Sequence, residues 1–189
     1  MNGKEINLSK VSRDVGVDSV SIQRYYEVLV DTLIVFELPP FNFSIRKRQS
    51  QKSKFYYFDL GVKRAIENSL SSKLVPATSA YGSAFEHFII AEIFRLADYN
   101  RKRWKFSYLR TKDDLEIDLI IKTENRKKIL IEIKSTDRVD HIELNKYKAI
   151  ANDLKAAEFW VLSQEPFARQ HGQFKIYPWQ IGLQKLFKK

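Results

Sequence analysis

The chain contains no cysteine. That absence removes disulfides, thiolate metal sites and cysteine nucleophiles together, and it fits a reducing cytoplasm. No apolar run approaches the roughly 20 residues a membrane-spanning helix needs. The opening MNGKEINLSK also lacks the apolar stretch of a signal peptide. The expectation is a cytoplasmic protein with no membrane partner. None of the six glycines belongs to a G-x-x-x-x-G-K-S/T loop, so the chain carries no nucleotide-binding P-loop of its own. Internal repeats and low-complexity tracts are missing as well.

What is present suits a folded, basic protein. Hydrophobic residues make up 44% and aromatic residues 13% of 189 positions, enough to build a core. Lys and Arg number 33 against 23 Asp and Glu, a formal charge of +10. Such an excess favours a polyanionic partner, nucleic acid before an anionic membrane surface. The Ser-rich stretch ENSLSSKLVPATSAYGS (67–83) reads as a boundary and divides the chain into domains at 1–74 and 75–189. Both parts are basic, at +4 and +6.

In the first part Leu8, Val11 and Val15 fall at helical spacing and Gly16 follows as a stop. Asp18 or Ser19 can cap a second helix, on which Ile22, Tyr26, Leu29 and Leu33 form one stripe. Ser21, Gln23, Arg24 and Glu27 lie opposite. Two extended runs follow, IVFELPPF and KFYYFDL, with NFSIRKRQSQKS between them. A helix-turn-helix followed by a basic hairpin predicts a winged helix. Gln23 and Arg24 would then meet the major groove of DNA, and Arg46, Lys47 and Arg48 its phosphates. The alternative is a protein-contact domain with a solvated basic loop.

The second part predicts helix, three strands, helix, strand. The helix covers 81–99, with Phe85, Ile89, Ile93 and Leu96 inward. Strands follow over 104–109, 115–122 and 127–135, then a helix over 140–154 opened by a D-x-x-E capping box, then a strand over 157–162. A further strand and a closing helix are expected in FKIYPWQIGLQKLF. Helices flanking a small mixed sheet make an α/β domain. The histidines His87, His141 and His171 are far apart in sequence and show no paired spacing. NRKRWKF (100–106) reads either as phosphate contact with Trp104 as a platform for base stacking, or as a loop entering a strand with Trp104 in the core.

Side chains alternate along a strand, so Glu132 and Lys134 share one face of ILIEIKS, as do Glu116 and Asp118 one strand earlier. Centring the hairpin near Asn125 sets Asp118 opposite Glu132, with Cβ atoms roughly 5 Å apart. Two neighbouring carboxylates in a partly buried place repel, and a divalent cation resolves that cost. Oxygen ligands without cysteine or convergent histidine favour Mg²⁺ or Mn²⁺ over zinc. Lys134 is placed to steady an attacking hydroxide or charge growing on a phosphoryl group. Glu86, in line with Ile90 and Ile93, is placed to orient a ligand water. The alternative for the same residues is a solvent-facing sheet edge with Lys134 paired to one carboxylate.

The element order, with Glu86, then Asp118, then the E-x-K of Glu132 and Lys134, resembles the PD-(D/E)XK nuclease superfamily over roughly residues 80–165. The resemblance implies a restriction-endonuclease-like αβββαβ domain behind the winged helix. It implies Mg²⁺ or Mn²⁺ held by Asp118, Glu132 and the Ile133 carbonyl, with Lys134 helping to activate water and Glu86 as the helix acid. Ile117 stands before Asp118 where the motif has proline. More narrowly, LSKVSRDVGV, FYYFDLGVKRAI, YGSAFEHFIIAEI, EIDLII and IEIKS are similar to the C-terminal regions of prokaryotic AAA-type ATPases. That likeness implies an ATPase domain or subunit as partner, the chain being a fragment or a stand-alone relative. Two functions stay open: a Mg²⁺-dependent DNA nuclease, or a non-catalytic DNA- or protein-binding module of such an ATPase.

Overall fold

The computed structural model describes residues 2–41 and 52–188. Arg46, Lys47 and Arg48, assigned above to DNA phosphate, lie outside the described residues. The chain forms two units, one of residues 2–40 and 52–73, the other of 41 and 74–188.

The first unit begins with helices α1 (Leu8–Val15) and α2 (Ser19–Asp31). Gly16 ends α1 in the left-handed region at φ +69°, a conformation open to glycine without a Cβ penalty. Asp18 caps α2 by accepting from the backbone N–H groups of Val20 and Ser21. Strands β1 (Val35–Leu38) and β2 (Lys54–Tyr57) pair antiparallel, and α3 (Leu60–Ile66) follows. Ile6, Ile22, Val35, Leu38 and Tyr56 are its buried apolar residues. The expected α2 stripe is shorter than its spacing suggested. Leu33 falls past the helix end at φ +59° and is 77% exposed. Val20, Tyr25 and Val28 are also exposed.

The second unit is a six-stranded mixed sheet in the order β3-β4-β5-β6-β8-β7. It runs α4 (Ser79–Tyr99), β3 (Lys105–Arg110), β4 (Glu116–Lys122) and β5 (Lys128–Lys134). A 3₁₀ turn (Glu143–Tyr147), α5 (Lys148–Asp153) and β6 (Glu158–Ser163) come next. β7 (Arg169–His171), β8 (Phe174–Pro178) and α6 (Trp179–Phe187) complete it. Strands β3, β4 and β5 are antiparallel neighbours, while β6 runs parallel to both β5 and β8. The strand β7 was not expected. Nor is 140–154 one capped helix: Asp140 accepts from Ile142 N–H, two residues on, and a 3₁₀ turn precedes a six-residue helix.

One face of this sheet, with Ile117, Ile120, Leu130, Phe159, Val161, Phe174 and Ile176, packs on Leu144, Tyr147, Ile150 and Leu154 of the 3₁₀ turn and its helix. Helix α4 buries Phe85, Ile89, Ile90 and Ile93, with Leu96 half-buried, and packs against β5 and α6. The sheet therefore has helices on both faces, and β4 and β5 are interior strands. The loop between β5 and the 3₁₀ turn is clasped from the far side. Glu165 accepts from Val139 N–H at 2.6 Å and from Arg169 through both oxygens at 2.7 and 2.8 Å, and Arg169 donates to the Val139 carbonyl at 2.7 Å.

This clasp has a pH consequence. The Arg169 hydrogen bonds, outweighing burial and helped by Val139 N–H, hold the Glu165 carboxyl below the usual glutamate range. A depressed folded-state value stabilises the fold above the ordinary range, and the gain is lost as pH falls through the folded value. Glu165→Gln is expected to cost about 1–2 kcal/mol at neutral pH. It should also flatten the fall in melting temperature between pH 5 and 3, read by circular dichroism.

Candidate functional site

β4 does not alternate strictly. Ser107 pairs with Ile120 and Leu109 with Ile117, so one residue of β3, Tyr108, faces two of β4, Asp118 and Leu119. Ile117 and Ile120 consequently belong to the same core cluster, three residues apart. This is a β-bulge, a device that re-aims a side chain. It corrects the expectation that Ile117 and Leu119 share a face. Glu116, before the bulge, lies 3.7 Å from Arg110 of β3.

The hairpin register is the one that centring on Asn125 gives: Leu119 pairs with Ile131, Ile120 with Leu130 and Ile121 with Ile129. The ladder stops at Leu119, where the next pair would be Asp118 and Glu132. There Asp118 Oδ2 accepts the backbone N–H of Ile133 at 2.7 Å, a side chain taking the place of a ladder carbonyl. Both carboxylates are buried, Asp118 at 8% exposure and Glu132 at 4%, which rules out the solvent-facing sheet edge.

Glu132 shares the face of Leu130, toward the 3₁₀ turn. Its Oε1 accepts from the Tyr147 hydroxyl at 2.7 Å and from Lys134 Nζ at 2.7 Å. Its Oε2 is buried and has no hydrogen-bond partner among the described residues. Burial alone would pull the Lys134 ammonium down, but the Glu132 carboxylate, with Asp118 and Glu143 beyond it, outweighs burial and holds it above the ordinary lysine value. Burial first, and the Glu132 charge second, push the Tyr147 phenol far above its usual range. Lys134 therefore stays a cation and Tyr147 a neutral donor.

A buried carboxylate oxygen with no donor is an expensive group to leave bare. Its presence beside a second buried carboxylate fits a hard divalent cation, which takes oxygen ligands and completes its shell with water. Among the described residues no group of three or more His, Asp or Glu converges on one point. The donor set available here is thus two carboxylates with backbone carbonyl and solvent.

The remaining sequence-derived residues sit elsewhere. Glu86 is half-buried on α4, which packs against β5. Gln23 and Arg24 are exposed on α2. Gln23 donates to Glu27 at 2.9 Å and lines a groove of about 780 Å³ together with Glu27, Asp31, Glu37 and Lys52. Three carboxylates therefore share the groove that Gln23 lines. Trp104 is half-buried, donates to Glu124 Oε2 at 2.9 Å and stacks on Phe187 at 5.2 Å between centroids, which agrees with the second of its two readings, a side chain packed where the loop enters β3. His141 and His171, distant in sequence, have ring centroids 4.7 Å apart, and His87 is fully buried. Sequence reasoning missed Tyr147 altogether; its position in the stretch read as one capped helix carried no sign of Glu132.

Residues 81–181, from α4 into α6 and including every residue of this carboxylate cluster, match the family described as Domain of unknown function (DUF4143). The chain belongs to the DUF4143 family. Residues 1–73 match a second family, Domain of unknown function (DUF8612). The DUF4143 chain is also similar to the uncharacterized proteins Mb2031c of Mycobacterium bovis and Rv2008c of Mycobacterium tuberculosis, each 26% identical over 125 residues. Those matches cover 66% of this chain but 27% of each relative, so the chain spans about a quarter of their length. No solved structure matches. Among the described residues no helix is long and apolar enough to cross a membrane.

Proposed function

We propose that this DUF4143 chain is a DNA-associated, Mg²⁺- or Mn²⁺-dependent phosphodiesterase, built as a winged helix followed by a restriction-endonuclease-like domain of the PD-(D/E)XK type. The observation that carries this reading is the buried, unpartnered Glu132 Oε2 beside Asp118 at the point where β4 and β5 part. Asp118, Glu132 and the Ile133 carbonyl would hold the cation. When bound, it would neutralise charge on a phosphodiester and lower the pKa of water. Lys134 is the fixed positive charge for the phosphoryl oxygens, since its neighbours keep it protonated and unfit as a proton acceptor. Glu86 on α4 would orient a water. Arg24 on α2 would carry the DNA contact of the first unit, in a chain whose +10 charge favours phosphate.

A second reading rests on Val20, Tyr25 and Val28, exposed on the helix that would enter the major groove. Apolar residues there suit protein better than phosphate. They favour a non-catalytic module docking an AAA-type ATPase domain or subunit.

The test is incubation of the full chain with supercoiled, linear and single-stranded DNA in Mg²⁺ or Mn²⁺, with and without EDTA. Cleavage that EDTA stops and Asp118→Ala abolishes supports the nuclease. Absence of cleavage together with absence of Mn²⁺ binding overturns it. DNA affinity unchanged in Arg24→Ala would favour the docking module.

A further inference from the structure

Glu132 is an asymmetrically held carboxylate. Both of its donors, the Tyr147 hydroxyl and the Lys134 ammonium, meet the same oxygen, Oε1, each at 2.7 Å. Oε2 receives none among the described residues, although a carboxylate can accept about four hydrogen bonds. A group serving only the fold would gain by sharing its donors between the two oxygens. Gathering them on one side fixes the carboxylate plane and leaves the other oxygen bare beside Asp118.

The two donors are not equivalent. The Lys134 side chain is 31% exposed, so its head can leave Glu132 for an anion arriving from solvent. Tyr147 is 2% exposed. It closes the 3₁₀ turn three residues after fully buried Leu144, the spacing at which 3₁₀ side chains line up one above the other. Its ring packs on Phe159 with centroids 5.3 Å apart. Ring and hydroxyl are thereby held by the core of the sheet, and the backbone of the turn is held by Leu144.

We infer that Tyr147 is the positioning residue of this cluster: its hydroxyl keeps Glu132 Oε1 engaged so that Oε2 is presented to a divalent cation, and goes on doing so when Lys134 turns to an anionic ligand. The inference rests on the metal reading above. It adds a residue outside the D…E-x-K pattern, supplied by the segment after β5.

The experiment is calorimetric titration of the full chain with Mn²⁺ alone, for wild type, Tyr147→Phe, Asp118→Ala and Ile150→Val. Phenylalanine keeps the ring and its packing and removes only the hydroxyl. Ile150→Val loosens the same core cluster without touching Glu132. Orienting partners of metal ligands are commonly worth about 10–100-fold in affinity, and a loss of that size is expected in Tyr147→Phe, with Ile150→Val at the wild-type value. Wild-type affinity in Tyr147→Phe, with binding lost in Asp118→Ala, would overturn the positioning role and leave the metal site standing. Equal weakening in Tyr147→Phe and Ile150→Val would overturn it too, as general loosening. No Mn²⁺ binding by wild type would overturn the metal reading and this inference with it.

Discussion

Asp118→Asn is expected to abolish divalent-cation binding while leaving the melting temperature unchanged or raised. The asparagine carbonyl can still accept the Ile133 N–H that Asp118 Oδ2 takes at 2.7 Å, so the bulge in β4 keeps its side-chain support. What disappears is a negative charge at 8% exposure next to a second carboxylate at 4%. Without a cation those charges repel, and removing one relieves the fold by up to roughly 1 kcal/mol. In a chain of this size that is about 2–4 °C. With a cation the same change removes a ligand, and Mn²⁺ affinity falls below detection. Calorimetry and thermal melts on one preparation check both. A large loss of stability without a metal effect would mean that Asp118 serves the fold alone.

Lys134→Met should act in the opposite sense on the fold. The stem volume is kept, but Glu132 loses its cation and is left buried with the Tyr147 hydroxyl as its remaining donor among the described residues. Breaking a buried pair from one side strands the other charge, at about 3–5 kcal/mol for fully buried pairs. Lys134 is partly exposed, so about 2–3 kcal/mol is expected, or roughly 5–10 °C in melting temperature. Adding Glu132→Gln removes the stranded charge, and the double variant should recover much of the loss. If the proposed hydrolysis occurs, the loss of a fixed charge at the phosphoryl group lowers turnover about 10²–10³-fold. A neutral effect of Lys134→Met on stability would show that Glu132 does not depend on the ammonium.

The contrast between these variants also explains what could be read early. The pairing of β4 with β5 was legible because it is local. A short loop around Asn125 and two runs of alternating β-branched residues leave one register that buries the right side chains. Asp118 and Glu132 thus came together on paper, and Lys134 with them, from a two-residue period alone. The bulge was invisible, because Ile117, Leu119, Ile120 and Ile121 around Asp118 are apolar whichever face they take, and only the β3 partner reveals that Tyr108 faces two residues. Trp104, with two readings open, and Leu33, assigned to the helix, show the same limit. Glu124, which ties Trp104 at 2.9 Å, lies 20 residues away, and Leu33 matches the helical stripe in number but follows the helix end.

By itself the sequence determined most of the elements and their order (α3, β7 and the 3₁₀ turn excepted), the hairpin register and the presence of two acids and a lysine along one strand pair. Those follow from side-chain period, capping residues and loop chemistry, which act over a few positions. Tertiary structure alone decided that both acids are buried, that Tyr147 and Lys134 converge on one oxygen of Glu132, that Glu165 and Arg169 clasp the loop at Val139, and that His141 meets His171. Each of these depends on how β6, β8 and β7 extend the sheet beyond β5 and on how the 3₁₀ turn packs over it. That placement is set by non-local burial, which no spacing along the chain encodes.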